Sequence, residues 1–379
     1  MIPYSRQTIS KNDIDAVVKV LKSDYLTQGP QTLKFEKKLS EKFNAKYVIT
    51  ANSASSALHL ACLSLNIKSK DIVWTVPNTY AASANCALLL GAKIDFVDIN
   101  KDTFNISIEA LEKKLKLAKK INKLPKLIVI VHFAGMPSDL KKIKKLKNKY
   151  NFKLIEDASH AVGSKYFKNP IGKPIFSDAV IFSFHPVKVM TTIEGGCLLT
   201  NSKKIFNLSS YFRENGIIKN KKLQSWKYKQ HYTGYNFRMN EVSATLGISQ
   251  LKKLNTFLKK RNSIAKYYRE KMKNLPIKFQ YEDKNLYSSY HLMIIRFDLK
   301  KINKSYEEIF NYLRKKKFFV NLHYYPLHLQ PIFKKNGFKT GMYPNAESYA
   351  KEALSIPIYP DLSKKKIENF IKILKNFIS

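Results

Sequence analysis

The sequence has 379 residues, of which 44% are hydrophobic, so it is long enough for more than one packed unit and too apolar for a disordered chain. Its formal net charge is +40 at pH 7. The basic residues are mostly lysines spread along the whole chain, as in Lys364-Lys365-Lys366, whereas arginine, the preferred ligand of bases and phosphates, is rare. The charge therefore indicates a solvated, lysine-rich surface rather than a nucleic-acid site, and such a surface would also attract a polyanionic small substrate.

The cysteines and the apolar segments bear on the compartment. Cys62, Cys86 and Cys197 are widely spaced and form no CxxC pair, which is typical of a protein kept in a reducing environment. The N-terminus has no hydrophobic signal segment, and the longest apolar run, residues 80–90, is too short to span a bilayer. We expect a cytoplasmic protein without a membrane segment.

From about residue 45 to 155 the hydrophobic pattern alternates between short apolar runs and longer amphipathic segments. The predicted strands are residues 47–50, 71–76, 93–97, 127–132 and 153–155, and the predicted helices are residues 53–65, 80–90, 107–120 and 138–150, the last with Ser138 as its N-cap. Strands that alternate with helices of this length are typical of a mostly parallel sheet covered by helices. The predicted fold class is therefore α/β.

Two short strands, residues 179–183 and 197–200, follow without room for a helix between them, and we place the functional site at this break in the alternation. A long helical pattern from residue 240 to about 273 then bridges to a smaller unit. That unit has predicted strands at 292–297 and 320–323 and predicted helices at 306–316 and from 364 onward, which indicates an α+β arrangement. We expect a large domain over residues 1–245 and a bridging helix with a small domain over residues 246–379.

The segment between those two strands carries Lys188, with Ser183 before it and the pair Gly195-Gly196 after it. Upstream, a predicted strand leads into Asp157 at its carboxyl end, where open α/β sheets place their ligands. This arrangement fits a pyridoxal phosphate enzyme, because the amine forms a Schiff base with the cofactor and the carboxylate keeps the pyridine nitrogen protonated. The alternatives are one of many surface lysines and an acid that caps a turn.

Other residues could serve the same cofactor. Ser55 and Ser56 follow a predicted strand, and small hydroxyl residues at a helix N-terminus offer donors to a phosphate; the alternative is simple N-capping by Ser53. The ring of Tyr80 could stack on a planar cofactor or belong to the packed core. His160 could bond a phenolic oxygen or be an ordinary loop histidine.

Several familiar catalytic signatures are missing. The sequence contains no GxGxxG, GxxxxGK[ST], HExxH or GxSxG motif, and its eight histidines show no metal-ligand spacing. It therefore gives no support to a dinucleotide-binding protein, a P-loop protein or a metal hydrolase, and we expect no metal.

The candidate residues belong to an ordered set of motifs along nearly the whole chain. The set comprises Leu26-Thr27-Gln28-Gly29-Pro30, Asn52-Ser53-Ala54-Ser55-Ser56-Ala57-Leu58, Pro77-Asn78-Thr79-Tyr80, Glu156-Asp157-Ala158-Ser159-His160, the lysine segment, and Tyr235-Asn236-Phe237-Arg238-Met239-Asn240-Glu241. In this set the chain resembles the DegT/StrS family of sugar aminotransferases, which are pyridoxal phosphate enzymes of fold type I. The lysine segment is most similar to the PseC branch, which aminates C4 of a UDP-linked 4-keto-6-deoxy N-acetyl sugar on the route to pseudaminic acid.

The resemblance implies roles for these residues. The implied cofactor contacts are Asp157 at the pyridine nitrogen, His160 at the phenolic oxygen, Tyr80 stacked on the ring, and Ser55, Ser56, Ser183 and Asn236 at the phosphate. Asn236 would come from the neighbouring subunit, so the resemblance implies a homodimer with shared active sites. The implied substrate contacts are His185, Glu194, Arg238 and Tyr324. Arg238 would bind the glutamate carboxylate or else form a structural salt bridge, and Ile193 stands where small residues are frequent in the family.

The reaction implied by the resemblance is a transamination in two halves, in which Lys188 moves the proton in both. L-Glutamate would give its amino group to pyridoxal phosphate, and the 4-keto group of a UDP-linked sugar would then receive it. The alternatives are the same reaction on a dTDP- or GDP-linked keto sugar, or a non-catalytic nucleic-acid-binding regulator on the same fold. The intact Lys188, Asp157 and serine cluster argue against the regulator, and we expect no nucleic-acid partner.

Overall fold

The structure is a computed structural model that describes residues 1–218 and 226–378. In these ranges the helices are α1 (Lys11–Leu21), α2 (Pro30–Phe43), α3 (Ala54–Ser64), α4 (Ala82–Leu88), α5 (Ile108–Lys120), α6 (Leu140–Tyr150), α7 (Lys203–Arg213), α8 (Glu241–Lys271), α9 (Tyr306–Lys315), α10 (Pro331–Lys334), α11 (Pro344–Glu352) and α12 (Lys364–Ile378). The strands are β1 (Ile2–Pro3), β2 (Tyr47–Ala51), β3 (Ile72–Thr75), β4 (Lys93–Phe96), β5 (Leu127–Val131), β6 (Lys153–Asp157), β7 (Lys165–Tyr166), β8 (Asn169–Pro170), β9 (Ala179–Ser183), β10 (Gly196–Thr200), β11 (Ile217–Ile218), β12 (Lys229–Gln230), β13 (Ile277–Phe279), β14 (Leu286–Tyr287), β15 (Met293–Phe297), β16 (Phe318–Phe319) and β17 (Ala353–Ile356).

The central sheet has the strand order β2-β10-β9-β6-β5-β3-β4. Strands β9, β6, β5, β3 and β4 run parallel to one another, whereas β10 is antiparallel to both β2 and β9. The segment 184–195 between β9 and β10 is too short for a crossover helix, so β10 returns beside β9 in the opposite direction. The predicted α/β class, with a mostly parallel sheet covered by helices, is confirmed.

Side-chain periodicity and capping explain the helices that cover this sheet. Helix α5 buries Leu111, Leu115 and Ala118 at helical spacing, and all three belong to the main hydrophobic cluster. The Ser107 hydroxyl caps the same helix by accepting a hydrogen bond from the Ala110 N–H. None of the helices in the described ranges is both long enough and apolar enough to cross a lipid bilayer.

A second hydrophobic cluster contains residues from 264 onward. It draws on helices α8, α9 and α12 and on the antiparallel sheet β13-β15-β17. The N-terminal strand β1 reaches this part of the chain by parallel pairing with β16, where Ile2 faces Phe318. Helix α8 contributes Leu254 to the first cluster and Ile264 to the second, so it connects the two.

Two local predictions are wrong. Ser138 does not cap α6, because its hydroxyl donates to the Val131 carbonyl at 3.0 Å, and the Asp139 carboxylate caps the helix instead. The strand predicted at 320–323 lies instead at β16, and the chain then turns so that residues 321–324 line a cavity. At Ser138 a hydrogen bond to a carbonyl seven residues earlier replaces the cap, and within 320–323 Asn321 forms an isolated bridge with Ser355 in place of a continuous strand.

Candidate active site

A cavity of about 810 Å³ lies at the carboxyl ends of the parallel strands. It is lined by Thr79 after β3, Val131 at the end of β5, Asp157 at the end of β6 and Ser183 at the end of β9. Ligand sites of α/β folds lie at this edge of the sheet. The cavity therefore lies where the break in the alternation led us to place the functional site.

Most of the predicted site residues meet in this cavity. Those that line it are Ser55, Ser56, Tyr80, Asp157, His160, Ser183, His185, Lys188, Glu194 and Tyr324. Asn236 and Arg238 are not among its lining residues.

Lys188 lies in the segment 184–195, which is folded by hydrogen bonds of its own. The Phe184 N–H donates to the Gly195 carbonyl and the Thr192 N–H donates to the Phe184 carbonyl, both at 2.9 Å. The Thr191 hydroxyl donates to the same Phe184 carbonyl, also at 2.9 Å. The two threonines that accompany Lys188 in the sequence therefore serve to hold this segment in shape.

The environment of Lys188 changes its protonation. Burial lowers the pKa of Lys188 to about 8, because the enclosed ammonium loses its hydration, and the negative charge of Asp157 limits the decrease. An amine with this pKa is present in both protonation states near neutral pH. Lys188 can therefore accept a proton and return it without a large energetic cost in either direction.

Asp157 is held at the base of the cavity by neutral donors. Its side chain is 5% exposed; the Ser83 hydroxyl donates to Oδ2 at 2.6 Å and the Ser159 N–H donates to Oδ1 at 3.1 Å. Ser83 in turn lies 2.8 Å from the Thr79 hydroxyl. These bonds fix the carboxylate without neutralising its charge, so it can bind a cationic group that enters the cavity.

The first turn of α3, residues 53–56, lies on another wall of the cavity, and we call it the anion cradle because its backbone N–H groups could bind an anion. The Ser53 hydroxyl accepts from the Ser56 N–H at 3.1 Å, so the N-capping that was the alternative to phosphate binding is present. The N–H groups of Ala54 and Ser55, in the first turn, have no intrahelical partner. Gly196 packs directly beneath this turn, because a Cβ at that position would lie only 2.4 Å from the Ala54 nitrogen. Free N–H groups and the helix dipole make this end of α3 suitable for a phosphate.

His160 is a neutral hydrogen-bonding residue in this cavity. Its Nδ1 accepts from the Ala134 N–H at 3.3 Å, so we assign its proton to Nε2, which donates to the Tyr324 hydroxyl at 3.1 Å. Burial holds the pKa of His160 well below its usual value, and the charge of Lys188 acts in the same direction. Burial raises the pKa of Tyr324 well above its usual value, so Tyr324 keeps a hydroxyl proton that it can donate.

Tyr80 is an exposed ring at the cavity. It precedes α4 rather than opening it, and 63% of its surface is exposed, which excludes the packed-core alternative. Its ring centroid lies 6.0 Å from that of Tyr324. An aromatic ring left exposed beside a cavity is free to stack on a planar ligand.

His185 and Glu194 lie at the outer rim. Their Nε2 and Oε1 atoms are 3.8 Å apart, and 46% and 63% of the two side chains are exposed. Burial lowers the pKa of His185, although the charge of Glu194 opposes the shift. The preceding Ile193 has φ +71°, a left-handed conformation that a small residue adopts more easily than a β-branched one. This explains why small residues suit the position.

Asn236 and Arg238 have their contacts outside the lining of the Lys188 cavity of the same chain. Arg238 pairs with Glu214 at 3.3 Å and lines a separate cavity of about 480 Å³ that includes Gly29. Asn236 is exposed and forms an isolated bridge with Glu214. The salt-bridge alternative for Arg238 is thus present, and neither residue lines the cavity that contains Lys188 in the same chain.

Among the residues at or beside the cavity to which sequence reasoning assigned no role are Tyr4, Asn52, Ser83, His291 and His323. Burial lowers the pKa of His323 to about 3 and holds that of His291 well below its usual value, so both imidazoles are neutral beside Lys188. Asn52 belongs to one of the quoted motifs and Ser83 follows Tyr80 by three residues, so both could have been found from the motifs. Tyr4 and the two histidines carry no local signal.

Both the sequence and the fold are similar to those of known aminotransferases. The sequence profile of the DegT/DnrJ/EryC1/StrS aminotransferase family matches residues 7–375. The chain is 40% identical, over 98% of its length and 96% of the relative's, to the UDP-4-amino-4,6-dideoxy-N-acetyl-beta-L-altrosamine transaminase of Campylobacter jejuni. It is 30% identical to GDP-perosamine synthase of Escherichia coli O157:H7, over 100% of its length and 99% of the relative's.

Comparison with solved structures also indicates an aminotransferase. The solved structure of Helicobacter pylori PseC, an aminotransferase involved in the biosynthesis of pseudoaminic acid, superimposes with a TM-score of 0.91 at 31% identity, over 100% of this chain and 99% of that one. The chain therefore belongs to the DegT/DnrJ/EryC1/StrS aminotransferase family and is a pyridoxal phosphate-dependent sugar aminotransferase of fold type I.

Proposed function

We propose that this enzyme moves the amino group of L-glutamate to C4 of a UDP-linked 4-keto-6-deoxy N-acetylhexosamine, a reaction of pseudaminic acid biosynthesis. The observation that carries the proposal is the meeting of Lys188 and Asp157 in one cavity beside the N-terminus of α3. The 40% identity to a transaminase named for a UDP-linked amino sugar supports the choice of nucleotide.

The lining residues fit pyridoxal phosphate. Asp157 would hold the pyridine nitrogen in its protonated form, since its charge is not neutralised by Ser83 and Ser159. Ser55 and Ser183, with the free N–H groups of α3, would hold the phosphate. Ser56 would complete this cradle. Bound there, the cofactor supplies an electron-poor ring that stabilises negative charge on the carbon from which a proton is removed.

Lys188 is the residue we assign to proton transfer. With a pKa of about 8, its amine can remove the proton from Cα of glutamate and return a proton to a neighbouring carbon in the first half-reaction. In the second half-reaction it moves a proton in the reverse sense, onto C4 of the sugar. One lysine is sufficient because the two half-reactions take place in the same cavity in succession.

His160, Tyr324 and Tyr80 would orient the cofactor. His160 donates to Tyr324, which leaves the Tyr324 hydroxyl proton available to an acceptor in the cavity. We therefore assign the bond to the phenolic oxygen to this pair, with His160 neutral throughout. Tyr80 would stack on the ring.

The substrates would contact residues at the mouth of the cavity and residues of a second subunit. His185 and Glu194 are exposed at the mouth of the cavity, and we assign them to sugar or donor contacts. We propose a homodimer in which Asn236 completes the phosphate site of the partner and Arg238 binds the glutamate carboxylate. Asn236 is exposed and does not line the cavity of its own chain, which supports this arrangement.

We also propose a division into a large domain of residues 1–245 and a small domain of residues 246–379 with its bridging helix. The second hydrophobic cluster, which contains residues from 264 onward, supports a separate small unit, whereas α11 in the same range packs into the first cluster through Ala346 and Tyr349. The cavity would then lie between the domains, because residues 321–324 line it together with the strand ends of the large sheet.

The first experiment tests the cofactor site. Wild-type protein incubated with pyridoxal phosphate is expected to show visible absorbance that disappears on borohydride reduction, with the cofactor then found on the peptide that contains Lys188. Lys188→Ala is expected to remain colourless after dialysis. Lys173→Ala, which removes a lysine bonded to Asn169 outside the cavity, is the matched control and should behave as wild type. Labelling of another lysine in wild type would reject the assignment.

The second experiment tests the substrate. UDP-, dTDP- and GDP-linked 4-keto sugars are each supplied with L-glutamate, and the amino sugar formed is measured by mass spectrometry. We expect turnover of the UDP-linked N-acetyl sugar. Exclusive turnover of a GDP-linked sugar, the nucleotide named in the perosamine synthase, would overturn the UDP assignment while leaving the reaction class intact.

A further inference from the structure

The segment that carries Lys188 is bonded to the N-terminus of the chain. The Ser5 hydroxyl donates to the Val187 carbonyl at 2.8 Å, across a sequence separation of 182 residues. Ser5 is only 4% exposed and does not line the cavity, although its neighbour Tyr4 does. The Val187 carbonyl belongs to the peptide group that joins Val187 to Lys188, so this bond fixes the plane of the backbone from which the Lys188 side chain extends.

Ser5 is itself held by a buried cation. Nη2 of Arg261, in α8, donates to the Ser5 hydroxyl oxygen at 3.4 Å, and Nη1 donates at 3.0 Å to the carbonyls of Tyr290 and Ile358. Arg261 is 0% exposed, and burial lowers its pKa to about 9. The partners of this guanidinium are carbonyls and a hydroxyl, and these acceptors offset part of the cost of burying its charge.

The backbone of Tyr4, next to Ser5, is bonded through both its N–H group and its carbonyl. The Tyr4 N–H donates to the Phe319 carbonyl at 3.1 Å, and the Tyr4 carbonyl accepts from the Ile358 N–H at 2.8 Å. Arg261 binds the carbonyl of the same Ile358. Ser5 therefore cannot move toward or away from Val187 without disturbing the pairing of β1 with β16.

We propose that Ser5, held by Arg261, is a positioning residue for Lys188. Ser5 lies outside the cavity lining, and it aligns the lysine amine for proton transfer inside the cavity. This inference rests on the role of Lys188 in the proposed function. A small tilt of the backbone becomes a larger displacement of the amine, because the lysine side chain extends about 6 Å from the backbone. A tilt of the Val187–Lys188 peptide by about 10° would move Nζ by about 1 Å, and a misplacement of that size can reduce a rate by up to about 100-fold.

The test replaces the hydroxyl and follows proton transfer separately from binding. Ser5→Ala is expected to reduce kcat of the glutamate half-reaction about tenfold with little change in KM, since Ser5 does not line the cavity. The primary isotope effect on kcat with L-glutamate deuterated at Cα is expected to rise, because proton transfer by a misaligned amine limits the rate. Cofactor content should remain that of wild type.

Ser209→Ala is the matched control. Ser209 is 0% exposed and lies 2.7 Å from the Ser64 hydroxyl, so the variant also removes a buried hydroxyl bond, but one without a link to Lys188. It should lower the melting temperature and leave both kcat and the isotope effect unchanged. Ser5→Cys preserves the size of the side chain with a weaker donor, and it should give an intermediate kcat and remain informative if Ser5→Ala does not fold.

The outcomes separate the two proposals. If the wild type binds the cofactor on Lys188 and turns over, but kcat and the isotope effect of both Ser5 variants equal those of Ser209→Ala, the positioning role is wrong and the proposed function stands. If the wild type does not bind the cofactor on Lys188, the assignment of that lysine fails and the positioning role fails with it.

Discussion

Gly196 offers a direct test of the anion cradle at α3. It is the first residue of β10, and a methyl group there would lie 2.4 Å from the Ala54 nitrogen, 2.6 Å from the Ala54 Cα and 2.7 Å from the Ser53 carbonyl carbon. These are backbone atoms, so no side-chain rotation can relieve the contact. Gly196→Ala must therefore displace the first turn of α3 by about 1 Å to restore ordinary contact distances.

The expected cost follows from this displacement. Overpacking of this kind costs about 1–3 kcal/mol, and here it falls on the N–H groups that would hold the phosphate. If the whole cost appears in binding, the Kd for pyridoxal phosphate should rise about 5- to 150-fold. The assay removes the cofactor from the purified protein and titrates it back, with binding followed by visible absorbance and folding by circular dichroism.

A second glycine separates cofactor binding from stability. Gly91 has φ +74° and a Cβ there would lie 3.1 Å from the Ser69 hydroxyl oxygen, so Gly91→Ala should destabilise the fold at a site outside the cavity lining. It should lower the melting temperature and leave the Kd of the cofactor unchanged. A folded Gly196→Ala protein with the wild-type Kd would refute the placement of the phosphate at α3.

Three further predictions follow from the site. Because burial lowers the pKa of Lys188 to about 8, acylation of this amine in the cofactor-free protein should rise with pH around a midpoint near 8, as measured by mass spectrometry. Asp157→Asn removes the charge that raises this pKa, so the midpoint of the variant should lie at lower pH; a midpoint at higher pH would contradict the assigned effect of Asp157. Ile193→Gly should relieve a strained φ of +71° and raise the free energy of unfolding in urea by about 1 kcal/mol, since 55% of the side chain is already exposed; a loss of stability would show that the strain is negligible. Mixing inactive Lys188→Ala and Asn236→Ala subunits should restore up to a quarter of the activity per site if sites are shared between subunits, and no recovery after confirmed subunit exchange would argue against sharing.

The sheet was predictable because its strands carry a strong local signal. All five residues of β5 are buried, and the sequence shows them as a continuous apolar run. The reversal at β10 was predictable for a different reason, namely that the segment 184–195 is too short for a crossover helix. The strand order was not predicted, because periodicity reports which residues are buried and carries no information about which strand lies beside which.

Within the site, local motifs located Asp157 and Lys188 but not the residues that hold them. Ser83 reaches Asp157 across 74 residues, and Ser5 reaches the lysine segment across 182. A serine has no preferred long-range partner, and its role is decided by the packing of helices and strands that bring it near a carboxylate or a carbonyl. Arg261 was hidden for the same reason: in sequence it is one more basic residue of a lysine-rich helix.

With the proposed roles of Asp157 and Lys188, one carboxylate would link cofactor binding to catalysis. Burial lowers the pKa of Lys188, and the charge of Asp157 is the influence that limits the decrease. When Asp157 pairs with a protonated ring nitrogen, its charge is largely compensated, so the support it gives to the protonated amine weakens. This weakening by itself would lower the pKa of Lys188 further, so that a larger share of the amine would be unprotonated at neutral pH. Asp157 would thus serve both the ring and the lysine, because the interaction that makes the ring an electron acceptor also makes Lys188 a more available base.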